Sequence, residues 1–258
     1  MTDRPPAEPR PASTLILLRK TDTHPLQTLM VVRQETIAFA GGAIVFPGGR
    51  VDDRDHAHAR LEDDDAFRIA AIRETFEECG ILLAYDRASG AMVPRQAARE
   101  LTEQYRHAVS KGELAFADML CDAGLVAATD RLVPFAHWIT PPSRPKRFDT
   151  HFFVAAYAED QHVAHDDGEV TKAVWIAPAQ LLADALEDKY KLVFATRMNV
   201  ERLAAFASVD AALETVRATP VVTVRPESVQ TPEGRMVRIP RAAGYGGELF
   251  LSNDPVAI

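Results

Sequence analysis

One short run, Arg73-Glu-Thr-Phe-Glu-Glu-Cys-Gly-Ile81, constrains the fold more than any other part of this 258-residue chain. Around it, Ile69, Ile72, Phe76, Cys79 and Leu83 recur close to one side at 3.6 residues per turn. That period predicts a helix over Asp65 to Tyr85 with a buried apolar stripe. Glu74, Glu77 and Glu78 stand at i, i+3 and i+4, so their carboxylates share the opposite face and point away from the core. Only Arg68 and Arg73 supply positive charge between Ala66 and Leu83. Like charges about 5–6 Å apart destabilise a bare helix, and a hard divalent cation with oxygen ligands compensates them directly. A solvated acidic face is the plain alternative, and spacing alone weighs the two evenly. Gly80, near the predicted helix end, suits a left-handed cap.

The flanking segments alternate between strand and helix signals. Residues 1–12 are proline-rich and read as a disordered lead-in. Ser13 to Leu18 and Gln27 to Arg33 read as paired strands around a Thr-His-Pro turn. Ile44 to Phe46 is a short strand stopped by Pro47, Gly48 and Gly49. Residues 51–65 are too hydrophilic for a core and read as a solvated insertion. Helices are predicted over Arg95 to Ser110, Gly112 to Ala123 and Pro178 to Leu186, the last opening on a proline. Strands are predicted over Phe135 to Ile139, Thr150 to Tyr157 and Ala173 to Ile176. This order implies an α+β or mixed-sheet α/β domain over residues 13–186. Residues 187–258 then form an extension packed on it, helical at first and ending in a hairpin of Val221–Val224 and Arg235–Pro240.

The acidic run resembles the second half of the Nudix box, Arg-Glu-aliphatic-x-Glu-Glu-x-Gly-aliphatic, with Thr75 at the aliphatic place. The Phe-Pro-Gly-Gly string at Phe46–Gly49 resembles the entry to the same motif. Gly49 lies 24 positions before Arg73, a loop ten residues longer than the motif, and Asp65 stands where the motif has its first glutamate. Trp138-Ile-Thr-Pro141 and Arg147-Phe-Asp-Thr-His-Phe-Phe153 are similar to a long-loop branch that includes peroxisomal coenzyme A diphosphatases.

The resemblance implies a Nudix-type mixed sheet sandwiched between helices, and hydrolysis of a diphosphate in a nucleotide derivative. It implies Mg²⁺, with Mn²⁺ as a substitute, held by Glu74, Glu77 and Glu78. Glu78 is then a catalytic carboxylate, and the general base is Glu74 or the later loop acid Glu169. Arg73 and Gly80 become structural parts of the motif, Arg73 holding a carboxylate by a bidentate pair. Coenzyme A or an acyl-coenzyme A is the first substrate class. Nucleotide sugars, dinucleotides, oxidised nucleotides and a non-catalytic ligand sensor are the alternatives.

Substrate contacts are assigned to Arg33, Gly49 and Arg147, with Arg144 and Lys146 as further cations and Phe148 and Trp138 as aromatics that either stack or fill the core. Asp149 reads as structural. His162, His165, Asp166 and Asp167 suggest either a second metal site or a polar turn, and His56 and His58 a solvated pair. A formal charge of −8 argues against a generic nucleic-acid partner. Two cysteines without paired spacing suit a reducing compartment. With no leader-like or membrane-spanning run, the expectation is a cytoplasmic protein acting on a small molecule, with a homodimer left open.

Overall fold

The first apolar run is buried on both sides rather than one. The computed structural model describes residues 6–33, 42–62, 64–157, 170–232 and 234–251. In it, β1 (Arg10–Arg19) sends Leu15 and Leu17 to one face of a sheet and Ile16 and Leu18 to the other, all four fully buried. A strand covered on both faces reads as a continuous apolar run and needs a helical layer on each side.

After β1 come β2 (Gln27–Arg33), β3 (Ile44–Val45), β4 (Gly48–Arg50), α1 (Asp53–Glu62), α2 (Ala66–Cys79), β5 (Ala84–Asp86), α3 (Arg95–Ser110), α4 (Phe116–Asp122) and β6 (Leu125–Ala127). The chain continues through β7 (Val133–Ile139), β8 (Phe148–Ala156), β9 (Val170–Ile176), α5 (Pro178–Leu186), α6 (Phe194–Ala204) and α7 (Val209–Ala218). It ends in β10 (Thr223–Val224), β11 (Glu227–Thr231), β12 (Gly234–Arg238) and β13 (Leu249–Leu251).

Among the described residues the main sheet runs β10-β7-β8-β1-β2-β3, with β4 joined to β1 and β9 to β2. It is mixed: β1 runs parallel to β8 and β10 to β7, while β2, β4 and β9 pair antiparallel. Besides β8, β1 pairs with two shorter partners, β4 at Ala12–Thr14 and β2 at Leu18–Arg19. One core joins the sheet to Ile69, Phe76 and Met119 of the early helices; the other joins it to Leu181, Met198 and Leu213 of the late ones.

Several expectations change. The strand begins at Arg10, not Ser13, because Arg10 N–H donates to Arg147 O at 2.9 Å and the ladder to β8 starts there. The polar insertion holds α1: Asp52 Oδ1 accepts from the N–H groups of Arg54 and Asp55 at 2.8 and 3.1 Å, and Asp55 Oδ2 accepts from Asp52 N–H at 3.0 Å. This reciprocal cap starts a helix that apolar periodicity could not announce. The helix predicted to reach Tyr85 stops at Cys79, because Gly80 takes a left-handed cap at φ 66° and donates to Phe76 O. The helix expected from Gly112 begins at Phe116. In the C-terminal part, Thr223–Val224 pair with His137–Trp138, and the hairpin is β11–β12 instead. Helices over Arg95–Ser110 and Pro178–Leu186 match their predicted bounds.

A buried polar chain ties the C-terminal segment to the sheet. Trp138 Nε1 donates to Tyr245 Oη at 2.9 Å, and Tyr245 Oη donates to Asn199 Oδ1 at 2.7 Å. Replacing Tyr245 by Phe leaves two buried groups without that partner and should destabilise the fold by about 2 kcal/mol. Thermal unfolding checks this: a melting temperature equal to wild type would remove the network from the account.

Candidate active site

The acidic face of α2 lies opposite its apolar stripe, but it does not open freely to water. Glu74 and Glu77 are half-buried and Glu78 is buried. β4 crosses over them at very short range. Gly48 N–H donates to Glu78 Oε2 at 3.0 Å. A Cβ at Gly49 would lie 2.4 Å from Glu74 Oε1, and one at Gly48 would lie 2.4 Å from Ser13 O. At Gly48 the obstacle is β1 backbone, so glycine is required there, while at Gly49 an added side chain would have to displace the Glu74 carboxylate.

Arg73 holds the cluster together. Its Nη1 donates to Glu74 Oε1 and Glu77 Oε1, each at 3.0 Å. Its Nε and Nη2 donate to Asp55 Oδ1 and Oδ2, each at 2.9 Å, and Nη2 also donates to Arg50 O at 2.8 Å. The bidentate partner therefore comes from α1, in the insertion expected to be solvated, and not from the motif. Arg106 of α3 donates to the carbonyls of Glu77 and Glu78 at 2.8 and 2.9 Å, placing a cation at the negative end of α2. Thr75, at the aliphatic place of the motif, is buried and donates to Ala71 O at 2.7 Å. Asp65 caps the helix start by accepting from Phe67 N–H.

Burial raises the Glu74 carboxyl, repulsion from Glu77 adds to it, and together they exceed the pull of Arg73, so its pKa is pushed up to about 7. Burial likewise raises Glu77. Burial works against the charge on Arg73, yet Asp55, Glu74 and Glu77 hold its pKa above the usual value.

Two hollows flank this cluster. A polar cleft of about 320 Å³ is lined by Asp52, Arg54, Asp55, Arg73, Glu77 and Lys111, among others. A more apolar cavity of about 210 Å³ includes Arg33, Phe46, Gly48, Trp138, Arg144 and Phe148 in its lining. The late segment completes its wall with Val193, Phe194 and Pro226.

The expected site residues separate into groups. Glu74, Glu77, Glu78, Arg73 and Gly49 come together, and Arg33, Arg144, Phe148 and Trp138 line the second cavity. Arg147 does not line it; its Nη1 donates to Ala7 O at 2.6 Å and its Nε to Thr140 O at 3.0 Å, so it anchors the chain. Lys146 is exposed, as is His56, whereas His58 is buried beside the polar cleft. Glu169 and the His162–Asp167 group lie outside the described residues. Asp55 and Arg106 were not anticipated; for Asp55 the Asp52-x-x-Asp55 capping pattern was the available signal.

A family model described as the NUDT19 Nudix domain matches residues 52–203. A Caenorhabditis elegans relative named for the nudix hydrolases is 33% identical over 184 residues, 71% of this chain and 56% of its own length. The Xenopus laevis protein named acyl-coenzyme A diphosphatase NUDT19 is 25% identical over 241 residues, 74% of this chain and 63% of its own. The chain thus spans less than two thirds of these curated relatives. The crystal structure of a NUDIX hydrolase from Alicyclobacillus acidocaldarius superposes with a TM-score of 0.73 at 27% identity, covering 83% of this chain and 99% of that one.

Two outcomes follow from this electrostatic arrangement. Asp55→Ala strips Arg73 of its bidentate partner in a nearly dry setting, and should cost about 3 kcal/mol in chemical denaturation; a loss below about 1 kcal/mol would mean that the insertion does not brace the site. Because the folded pKa of Glu74 lies above its ordinary 4.5, its contribution to stability is present below that pH and is lost as pH rises through about 7. In metal-free protein the stability of wild type relative to Glu74→Gln should therefore fall from pH 4.5 to pH 7; a flat or rising difference across paired melts contradicts it.

Proposed function

This chain belongs to the NUDT19 Nudix-domain family, and from that premise we propose that it hydrolyses the diphosphate of coenzyme A or an acyl-coenzyme A. The observation that carries the reading is the placing of three carboxylates on one face of α2 against β4, with Glu74 and Glu77 on Arg73, Glu78 on the Gly48 N–H, and a polar cleft beside Glu77. Three carboxylates form an all-oxygen donor set, which fits a hard divalent cation, and we take Mg²⁺ as the metal with Mn²⁺ as a substitute. Such an ion, when bound, neutralises charge on the diphosphate and makes a bound water more acidic.

The chain's own groups have distinct tasks. Water adds to one phosphorus while the bridging P–O bond breaks, leaving two phosphate monoesters. Glu78 accepts from the Gly48 N–H through Oε2, which fixes its carboxylate beneath β4. Glu74, with a pKa near neutrality, suits the acceptance of a proton from the attacking water, and Glu169 stays the second candidate for that role. Arg73 holds Glu74 and Glu77 together and commits its Nε, Nη1 and Nη2 to them, Asp55 and the Arg50 carbonyl, which makes it a positioning residue.

The cavity beyond Gly48 offers aromatic and aliphatic walls with Arg33 and Arg144 among them, which suits an organic arm ending in phosphate. Relatives named acyl-coenzyme A diphosphatase support this substrate class over nucleotide sugars, dinucleotides or oxidised nucleotides. We place the protein in the cytoplasm, a reading supported by its two unpaired cysteines. Among the described residues no helix is long and apolar enough to cross a membrane.

The test is a Mg²⁺-dependent assay over a panel of diphosphates, with products identified by mass. Coenzyme A or its acyl esters should be cut at the diphosphate, and Glu78→Gln should lower kcat by at least about a hundredfold with unchanged circular dichroism. Turnover only on another diphosphate would replace the substrate class, and a fully active Glu78→Gln would remove the mechanism.

A further inference from the structure

Away from the glutamates, β7 and β8 bring a second cluster of ligating groups together. His137 and His151 are Cα partners across these antiparallel strands, and Asp149 precedes His151 by two residues, so all three side chains share one face. His137 Nε2 lies 2.5 Å from Asp149 Oδ1, and His151 Nε2 lies 3.9 Å from the same oxygen. One ligand atom from each residue falls within 4.8 Å of those of the other two.

The cluster is held from behind. His137 Nδ1 bonds Thr223 Oγ1 of β10 at 2.8 Å, which turns Nε2 toward Asp149. This is the pattern by which a ligating imidazole is oriented through its other nitrogen. The His151 ring packs between Phe67 and His137, with centroids 4.2 Å from each. The side chains stay partly open to solvent, at 17%, 34% and 37% for His137, Asp149 and His151, so further ligands could reach an ion from outside.

We propose that His137, Asp149 and His151 form a binding site for a borderline divalent transition metal of the Zn²⁺, Co²⁺ or Ni²⁺ class, separate from the glutamate cluster. Two imidazole nitrogens and one carboxylate favour such ions over Mg²⁺, which selects oxygen ligands. Metal–donor bonds of about 2.0–2.2 Å put neighbouring donors roughly 3–3.5 Å apart. The present separations need shifts of less than about 2 Å, with the proton between His137 and Asp149 displaced to solvent as the metal enters. Phe67, which packs on His151, precedes Glu74 by seven residues, roughly 10 Å along the helix, so this is not an outlying ligand set of the first site.

The difference in ligand type supplies the experiment. The full chain, stripped with chelator and then kept in excess Mg²⁺ to occupy the glutamates, is titrated with Zn²⁺ by calorimetry and with Co²⁺ by its visible absorption bands. One equivalent should bind. His137→Gln, His151→Gln and Asp149→Asn should each weaken that binding by about tenfold or more, while His58→Gln and Glu78→Gln retain it. Absence of Zn²⁺ and Co²⁺ binding in wild type overturns the proposal. So does undiminished affinity in whichever of the three variants keeps the wild-type circular dichroism. Because these variants sit on two strands at partly exposed positions, misfolding of one leaves the others decisive.

Discussion

The site depends on a single guanidinium that four groups share. Arg73 bonds Asp55, Glu74, Glu77 and the carbonyl of Arg50, so it joins the inserted helix, the motif helix and the glycine strand at one point. Three carboxylates around one guanidinium leave an excess of two negative charges when all are ionised. Burial makes that excess costly, and it is the physical reason why the Glu74 carboxyl is held near neutral pH without a metal. With Glu78 beside them the excess grows, and a divalent cation would offset it. The same group that assembles the site thus leaves a charge deficit that a metal with oxygen ligands would fill.

That arrangement requires a rigid frame on both sides of α2. The β1 strand supplies it by facing two cores and by sharing its pairing between β4 and β2. Because β4 is fixed to β1, its backbone can approach the glutamates closely enough for Gly48 N–H to bond Glu78. A side chain at position 48 would collide with the β1 backbone and one at 49 would displace the Glu74 carboxylate, so the two glycines set the fit of β4 between β1 and α2. On the opposite face, α5 to α7 close the second core and lend Val193 and Phe194 to the cavity wall.

Legibility in the sequence followed the range of each interaction. The period of Ile69, Ile72 and Phe76 marked α2, and the acidic spacing marked its functional face, because both depend on residues within a few turns of one another. Pro178 likewise announced α5. The inserted helix escaped because it has almost no apolar side: its stability rests on a reciprocal aspartate cap and on the Asp55–Arg73 pair, whose members are 18 residues apart. The extent of α2 was overread because Ile81, Leu82 and Leu83 are buried in a segment that leaves the helix at Gly80. Val221–Val224 carried a strand signal that local order assigned to a hairpin with Arg235–Pro240, and only the fold shows that its end lies beside β7. His137 and His151 sit in different strands with ordinary spacing, so no local pattern could pair them.

The two hollows differ in a way that limits what can bind across them. The cleft beside Glu77 is bordered by Asp52, Arg54 and Lys111 and suits solvated, charged groups. The cavity beyond Gly48 is walled by Phe46, Trp138, Phe148 and Phe194 and suits groups that leave water readily. Gly48 links the cavity to the glutamates, since it lines the cavity and its N–H bonds Glu78. A ligand that uses the whole region must therefore carry a less polar arm and an anionic centre within a short distance of each other. A free inorganic diphosphate would satisfy only the charged half and leave the aromatic wall in contact with water. A molecule with a diphosphate joined to a nucleoside on one side and an aliphatic amide chain on the other would meet both, in keeping with the proposed coenzyme A-type substrate.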